Sequence, residues 1–353
     1  MRRPHRRRRD SLIITVLVSI LVFGSVIFIH ELGHFATAKL CGIKVNEFSI
    51  GMGPALLRHQ RGETLYALRL LPIGGYVSME GEDEESEDDR SFTKAKVWKR
   101  FLVVAAGAVM NMLLGFVVLL VLVSQQSAIT SRTVSQFAEN ASTQASGLQI
   151  GDEILAVNGR RCFIADDIVY ELARTQNATA SMTVLRDGEK VELPAVQFST
   201  QELEDGTTGM VIDFKVLPIE KTPLNVIKEA GLWTCSLARM IFLSLIDLVT
   251  GRVAINNLTG PVGIVTVISE AASIGWEPIL LILAMITINL GIFNLIPFPA
   301  LDGGKLFLLL VEGIRRKALP EKYEIYINLA GFAALICLML FVTYNDIARL
   351  ITG

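Results

Sequence analysis

The sequence predicts an α-helical membrane protein of about four transmembrane helices with one small α/β domain inserted between the second and the third. Three observations predict this class. The 353 residues are 51% hydrophobic and 19% charged, and the mean hydropathy of +0.48 is too apolar for a soluble chain of that length. Four runs, Ser11 to Ile29, Phe101 to Ser124, Pro278 to Pro297 and Ile325 to Thr343, approach the roughly 20 apolar residues that a hydrocarbon core about 30 Å thick requires. Between the second and third runs lies a segment patterned like a soluble domain.

The first run follows an Arg-rich stretch, as a signal peptide does. It is long and passes into polar residues with no small-residue cleavage site, so it is expected to stay in the mature protein. The polar stretch from Cys41 to Arg100 includes an acidic run, Glu80 to Asp89, read as a solvated loop. In the insert, Val134 to Phe198, a strand is expected at Glu153 to Val157 and a helix at Ala165 to Thr175. A hairpin over Ser181 to Leu193 should turn at Asp187-Gly188. Leu224 to Leu248 is helical in period but carries Lys228, Glu229, Arg239 and Asp247, which places it at the interface or packed against the bundle. The chain thus divides into 1–133 with the first two spans, 134–198 as the small domain, 199–277 as linker and packed helix, and 278–353 with the last two spans.

Charge gives the topology. Lys94, Lys96, Lys99 and Arg100, with Arg315, Arg316 and Lys317, put the first-to-second and third-to-fourth connections in the cytoplasm and the insert outside. Arg2, Arg3 and Arg6 to Arg9 argue for the opposite side, and the two concordant loops are preferred. A net charge of −2 lacks the basic footprint of a nucleic-acid partner. Cys41, Cys162, Cys235 and Cys337 stand singly and read as small apolar residues.

The chemical signal is His30-Glu31-Leu32-Gly33-His34, at the end of the first apolar helix. Residues four apart share a helix face, so His30 and His34 can direct ring nitrogens at one zinc ion while Glu31 falls beside it as general base. Ionisable groups in a transmembrane run are costly without partners, so a bare interfacial cluster is the weaker reading. A catalytic zinc site takes three protein ligands. His5 sits in the basic tail and His59 in a polar loop, so a carboxylate near the membrane is the better third ligand. Asp302 is the single acid of Asn294 to Gly304, where two prolines and two glycines break the helix, as backbone lining a wet cavity can be broken. The alternative for Asp302 is a cap on the helix that begins at Gly303. Asn294 can donate its amide to a substrate backbone or a developing oxyanion; the alternative is a packing hydrogen bond.

With these residues assembled, the chain resembles the site-2 proteases, specifically the regulator-of-sigma-E-protease type with a PDZ domain in the insert. His30 to His34 match that family's HExxH, and Asn294, Pro297, Pro299, Leu301, Asp302 and Gly303 match its NxxPxPxLDG. The resemblance implies Zn²⁺ held by His30, His34 and Asp302, Glu31 and Asn294 as catalytic residues, and Asn294 near the substrate. Phe48 to Pro54 and Leu70 to Val77 resemble the family's membrane-associated β-hairpin region, which implies that Gly74 and Gly75 lie beside an extended substrate whose backbone a strand edge holds. Ala106-Gly107-Ala108 with Asn111 resembles AGPxxN, with Ala108 where Pro is usual. Leu258 to Ile264 resembles a GPxGI segment and is read as structural. Ala145 to Gly159 matches the AGLxxGDxIxxVNG of protease-associated PDZ domains.

The expected function is an intramembrane zinc endopeptidase, multi-pass in the lipid bilayer with the PDZ domain outside, and the resemblance implies a bacterial plasma membrane. The resemblance implies membrane-protein substrates with single transmembrane helices, such as anti-sigma factors or remnant signal peptides. The PDZ domain is either a peptide binder or a steric filter. A non-catalytic PDZ-bearing scaffold is the alternative, but it has no use for Glu31. A transporter with an ion site at the broken helix is a further rival, but the chain lacks the paired halves of such folds.

Overall fold

The computed structural model describes residues 4–82, 84, 86–175, 177–202, 208–253, 255–317 and 321–352. Arg2 and Arg3 of the basic tail and Asp83 and Glu85 of the acidic run lie outside them. The chain divides into two compact units, Met1–Val118 with Met240–Gly353, and Leu119–Arg239.

In the first unit, α1 (Pro4–Leu40) runs unbroken through His30 and His34, so the paired histidines lie within the helix and not at its end. Two long strands follow, β1 (Val45–Arg61) and β2 (Thr64–Met79). Val45 to Ile50 face Gly75 to Met79 on one side, and Glu47 to Ile50 also face Leu65 to Leu68 on the other. Arg69 ties this folded sheet together, donating to Ser49 Oγ at 2.8 Å, the Gly53 carbonyl at 2.7 Å and Glu47 Oε1 at 2.6 Å. Phe35 of α1 packs on Phe48 at 5.0 Å and Tyr66 at 5.9 Å, which seats the sheet against the helix. Glu80, in the loop after β2, accepts from Ser86 and Asn46 and pairs with Lys44. These partners hold its carboxyl down to about 2, so the acidic run is tethered at Glu80 rather than merely solvated.

The helices α2 (Val97–Gln125), α6 (Pro261–Ile274), α7 (Trp276–Phe293), α8 (Asp302–Arg315) and α9 (Glu321–Thr352) complete the helical part with α5 (Pro223–Val249). Among the described residues five helices are long and apolar enough to cross a membrane: Ile13–Leu40, Val97–Gln125, Pro223–Val249, Trp276–Phe293 and Lys322–Arg349. That is one more than the sequence reading, and the addition is α5. The GPxGI segment also acquires a physical role. Buried Asp346 of α9 accepts from the backbone N–H of Gly260 at 3.1 Å and of Gly263 at 2.9 Å, so it satisfies the open donors at the start of α6.

In the second unit, β3 (Ile129–Phe137), β4 (Glu153–Val157), β5 (Arg160–Arg161), β6 (Thr179–Arg186), β7 (Glu189–Gln197) and β10 (Phe214–Ile219) build one sheet in the order β10-β3-β4-β6-β7, with β5 on β4, and the helices α3 (Ser142–Ala145) and α4 (Ala165–Ala173) lie between its strands in sequence. The ribbon β8 (Ser199–Glu202) with β9 (Thr208–Val211) stands apart from it. The β6–β7 turn falls at Asp187 and Gly188, with φ of 50° and 86°, as a tight hairpin turn requires. Its core gathers Val134, Leu148, Ile154, Ile168, Met182 and Phe214. Because β10 pairs with β3 and Phe214 is in that core, strands of this sheet come from both sides of 134–198. Lys221 donates to the Gln126 carbonyl at 2.9 Å, so chain entry and exit are neighbours. Arg239 of α5 pairs with Asp167 and Glu171 of α4 at 3.2 and 3.5 Å, and this accounts for one of the four charges on that helix.

Candidate metal centre

The first unit brings His30, His34 and Asp302 together, with one ligand atom from each lying within 4.8 Å of the others. His30 Nε2 is 3.1 Å and His34 Nε2 is 3.4 Å from the same oxygen, Asp302 Oδ2, and the two Nε2 atoms are 3.1 Å apart. The side chains are 11%, 12% and 23% exposed. Three donors converging on one point, with Asp302 Oδ2 buried and lacking a hydrogen-bond partner, suit a small divalent cation of the kind imidazole and carboxylate hold. His34 Nδ1 lies 2.9 Å from the Val103 carbonyl. An N–H donated there leaves the Nε2 lone pair facing the other two donors.

Local structure explains each placement. His30 and His34 are one helical turn apart on α1. Their room comes from α2: a Cβ on Gly107 would sit 2.4 Å from His34 Nε2 and 2.7 Å from His30 Cε1. Asp302 opens α8. Leu301 is the N-cap there and no side-chain cap bond forms, so the carboxylate is spent on the histidines and not on the helix end. The preceding segment folds tightly over that end: a Cβ on Gly303 would lie 1.9 Å from the Ile296 carbonyl oxygen, and Ala300 takes φ of 68°, a left-handed conformation that costs a non-glycine residue energy.

Glu31 lines the same cleft, of about 190 Å³, with Gly75, Tyr76, Val77, Glu82 and Lys305. Gly75 is pressed against Glu31, since a Cβ there would be 3.0 Å from Glu31 Cγ, whereas Gly74 is turned to Met52, with 2.7 Å to Met52 Cε. The structure therefore brings Gly75, and not Gly74, to the cleft. Asn294 is buried at the end of α7 with Nδ2 3.5 Å from His30 Nε2. Sequence reasoning quoted Gly107 in the Ala106-Gly107-Ala108 match without giving it a role, and it gave none to Glu82 or Lys305. The AGxxxN pattern carried a signal for the first, and the Glu82–Lys305 pair at 2.8 Å carried none.

Clearance at Gly107 gives a direct expectation. Gly107→Ala should lower zinc affinity by about tenfold or more, as outer-shell changes do, because a methyl group must displace both rings. Zinc per protein after dialysis, at unchanged helical content, measures it. Wild-type metal retention would show that the rings tolerate the displacement.

Two imidazoles and a carboxylate converging inside a helical membrane unit, with a second carboxylate beside them, define a metallohydrolase class. Residues 18–338 match the model of Peptidase family M50, and the chain belongs to that family. It is 38% identical over 334 residues to a Clostridium perfringens protein provisionally named a zinc metalloprotease, covering 94% of this chain and 98% of the relative. It is 31% identical over 416 residues to the zinc metalloprotease RasP of Shouchella clausii, covering 95% and 99%. With the regulator of sigma-W protease RasP of Bacillus subtilis it shares 29% identity over 418 residues, covering 95% and 99%. The protein is accordingly a site-2-type zinc metalloprotease, its metal is zinc, and it is a multi-pass membrane protein.

Proposed function

We propose that the chain hydrolyses peptide bonds within transmembrane segments of single-span membrane proteins, with anti-sigma factors and remnant signal peptides as the substrate class. The observation that carries this is the joint lining of one cleft by His30, His34, Asp302, Glu31 and the backbone at Gly75. His30, His34 and Asp302 hold the zinc. When bound, the ion supplies Lewis-acid activation of water and of the scissile carbonyl. Glu31 takes the proton of the attacking water and delivers it to the leaving amide nitrogen. Gly75, at the end of the run paired with β1, lets an unwound substrate come close, and backbone hydrogen bonding along that edge keeps the substrate extended. Asn294 donates to the substrate carbonyl as negative charge develops there.

The chain crosses the bilayer four times, with α5 packed rather than spanning. Arg100 pairs with Glu312 and Lys305 with Glu82 at 2.8 Å, so the α1–α2 connection and α8 share one side of the membrane. Between them the chain can cross only an even number of times. Crossings by α2 and α7 satisfy that parity. A further crossing by α5 needs α6 to return, and its 14 residues extend only about 21 Å, short of a bilayer core. The basic clusters at Lys94 to Arg100 and Arg315 to Lys317 make this shared side cytoplasmic, which puts the inserted domain outside.

The insert is a PDZ domain that selects substrates and takes no part in hydrolysis, since no member of the cleft lies in it. Purified protein, with and without a chelator, should cleave candidate single-span substrates only when zinc is present; a scaffold would hold no zinc and cut nothing. Replacing 127–220 by a short Gly-Ser linker is made feasible by the neighbouring ends at Gln126 and Lys221. The shortened protein should keep zinc and cut short or pre-trimmed membrane peptides at rates within about threefold of the full chain, while losing discrimination against substrates with bulky outer domains. A folded, zinc-loaded deletion that cuts nothing would make the insert part of the catalytic machinery.

A further inference from the structure

His30 and His34 are held by different means. The Val103 carbonyl that faces His34 Nδ1 is backbone, and no substitution at that position removes it. His30 Nδ1 faces a side chain instead, Asn111 of α2, whose Nδ2 lies 3.3 Å away. Asn111 is completely buried, and its Oδ1 has no hydrogen-bond partner.

The chemistry of a ligating histidine decides which end of that amide belongs at the ring. His30 Nε2 is the nitrogen that faces Asp302 Oδ2 and His34 Nε2, so its lone pair must be free and the neutral ring carries its proton on Nδ1. An NH₂ group cannot donate to an N–H. Oxygen and nitrogen of an amide exchange places by a half-turn of the side chain, a choice fixed by hydrogen bonding and not by shape. The half-turn sets the unpartnered Oδ1 against Nδ1–H and makes the required bond. We propose that Asn111 is the positioning residue of His30, accepting the imidazole Nδ1–H through Oδ1 and so aiming Nε2 at the metal. The inference rests on the assignment of His30, His34 and Asp302 as the zinc ligands.

Asn111 is itself fixed by α7. The Thr287 hydroxyl, fully buried, donates to the Asn111 backbone carbonyl at 3.0 Å, and α7 approaches closely at Gly291, where a Cβ would be 3.0 Å from the Ala108 carbonyl oxygen. The helix that ends in Asn294 and leads to Asp302 therefore also sets the residue that aims His30. One contact between α2 and α7 thus bears on donors from two separate elements.

The test is zinc affinity, measured by competition with a chromophoric chelator on the purified full chain, for wild type, Asn111→Leu, Asn111→Asp and Asp302→Ala. Asn111→Leu keeps the volume and removes the acceptor; its affinity should fall about 10- to 100-fold, as for other outer-shell losses. Asn111→Asp keeps acceptor oxygens and adds charge, so it should bind zinc at least as tightly as wild type. If the leucine protein does not fold, Asn111→Ala is measured in its place. Wild-type affinity in the leucine or alanine protein, or equal losses in the aspartate and leucine proteins, would overturn the proposal. Failure of the ligand assignment has its own signature: Asp302→Ala would then hold zinc as tightly as wild type, whatever the Asn111 variants do.

Discussion

Glu31→Gln is expected to abolish cleavage, by about 10²- to 10⁴-fold or more for loss of a general base, and to leave zinc content unchanged. The basis is geometric. Glu31 lines the cleft with the three ligand residues but is not one of the converging donors, which are His30, His34 and Asp302. Its neighbour across the cleft is the backbone of Gly75, where an extended substrate would pass. Glutamine keeps the size and polarity of the side chain, so fold and metal should persist, yet it cannot accept a proton at neutral pH. The measurement pairs zinc per protein with cleavage of a single-span substrate in detergent. Loss of zinc alongside activity would move Glu31 into the ligand set and remove the general-base role.

Much of this was legible in the chain because it is written locally. His30 and His34 are one helical turn apart, so a one-dimensional pattern states their common face. The Asp187-Gly188 turn is equally local. Asp302 was reachable by a different route, as the single acid in a proline- and glycine-broken stretch beside a membrane run, where chemistry left few candidates. What stayed hidden depends on contacts between distant elements. Gly107 matters because two imidazoles 73 and 77 positions earlier need its missing Cβ, and no periodicity in α2 reports that. Gly260 and Gly263 acquire meaning only from Asp346, more than 80 residues on. The small domain was delimited too narrowly for a related reason. Phe214 to Ile219 forms a sheet strand because β3 offers it an edge, and a six-residue strand carrying Pro218 has no strong alternation of its own. For α5, the charges suggested a packed helix while its length and apolarity alone suggest a span.

Asp302→Ala should lose most of its zinc on dialysis, at least about tenfold relative to wild type, because three protein ligands are the norm for a catalytic zinc and two would remain. The expectation joins points 268 and 272 residues apart in sequence. It rests on one oxygen: Oδ2 of Asp302 faces both Nε2 donors, at 3.1 and 3.4 Å, and it has no hydrogen-bond partner. The rival role, capping α8, predicts something different. Leu301 occupies the cap position and no side-chain cap bond forms, so removal of the carboxylate should cost little helix stability. Asp302→Asn separates the two roles, because Asn caps as well as Asp but offers no anionic ligand oxygen. The ligand role predicts zinc loss in both the Ala and the Asn protein, with activity falling in step, while Asp302→Glu keeps part of the metal through a displaced carboxylate. The capping role predicts full zinc in the Asn protein and reduced thermal stability in the Ala protein alone. Zinc per protein and melting temperature across the four proteins decide between them, and full occupancy in a normally folded Asp302→Ala would return the search for a third ligand to His59 or another carboxylate.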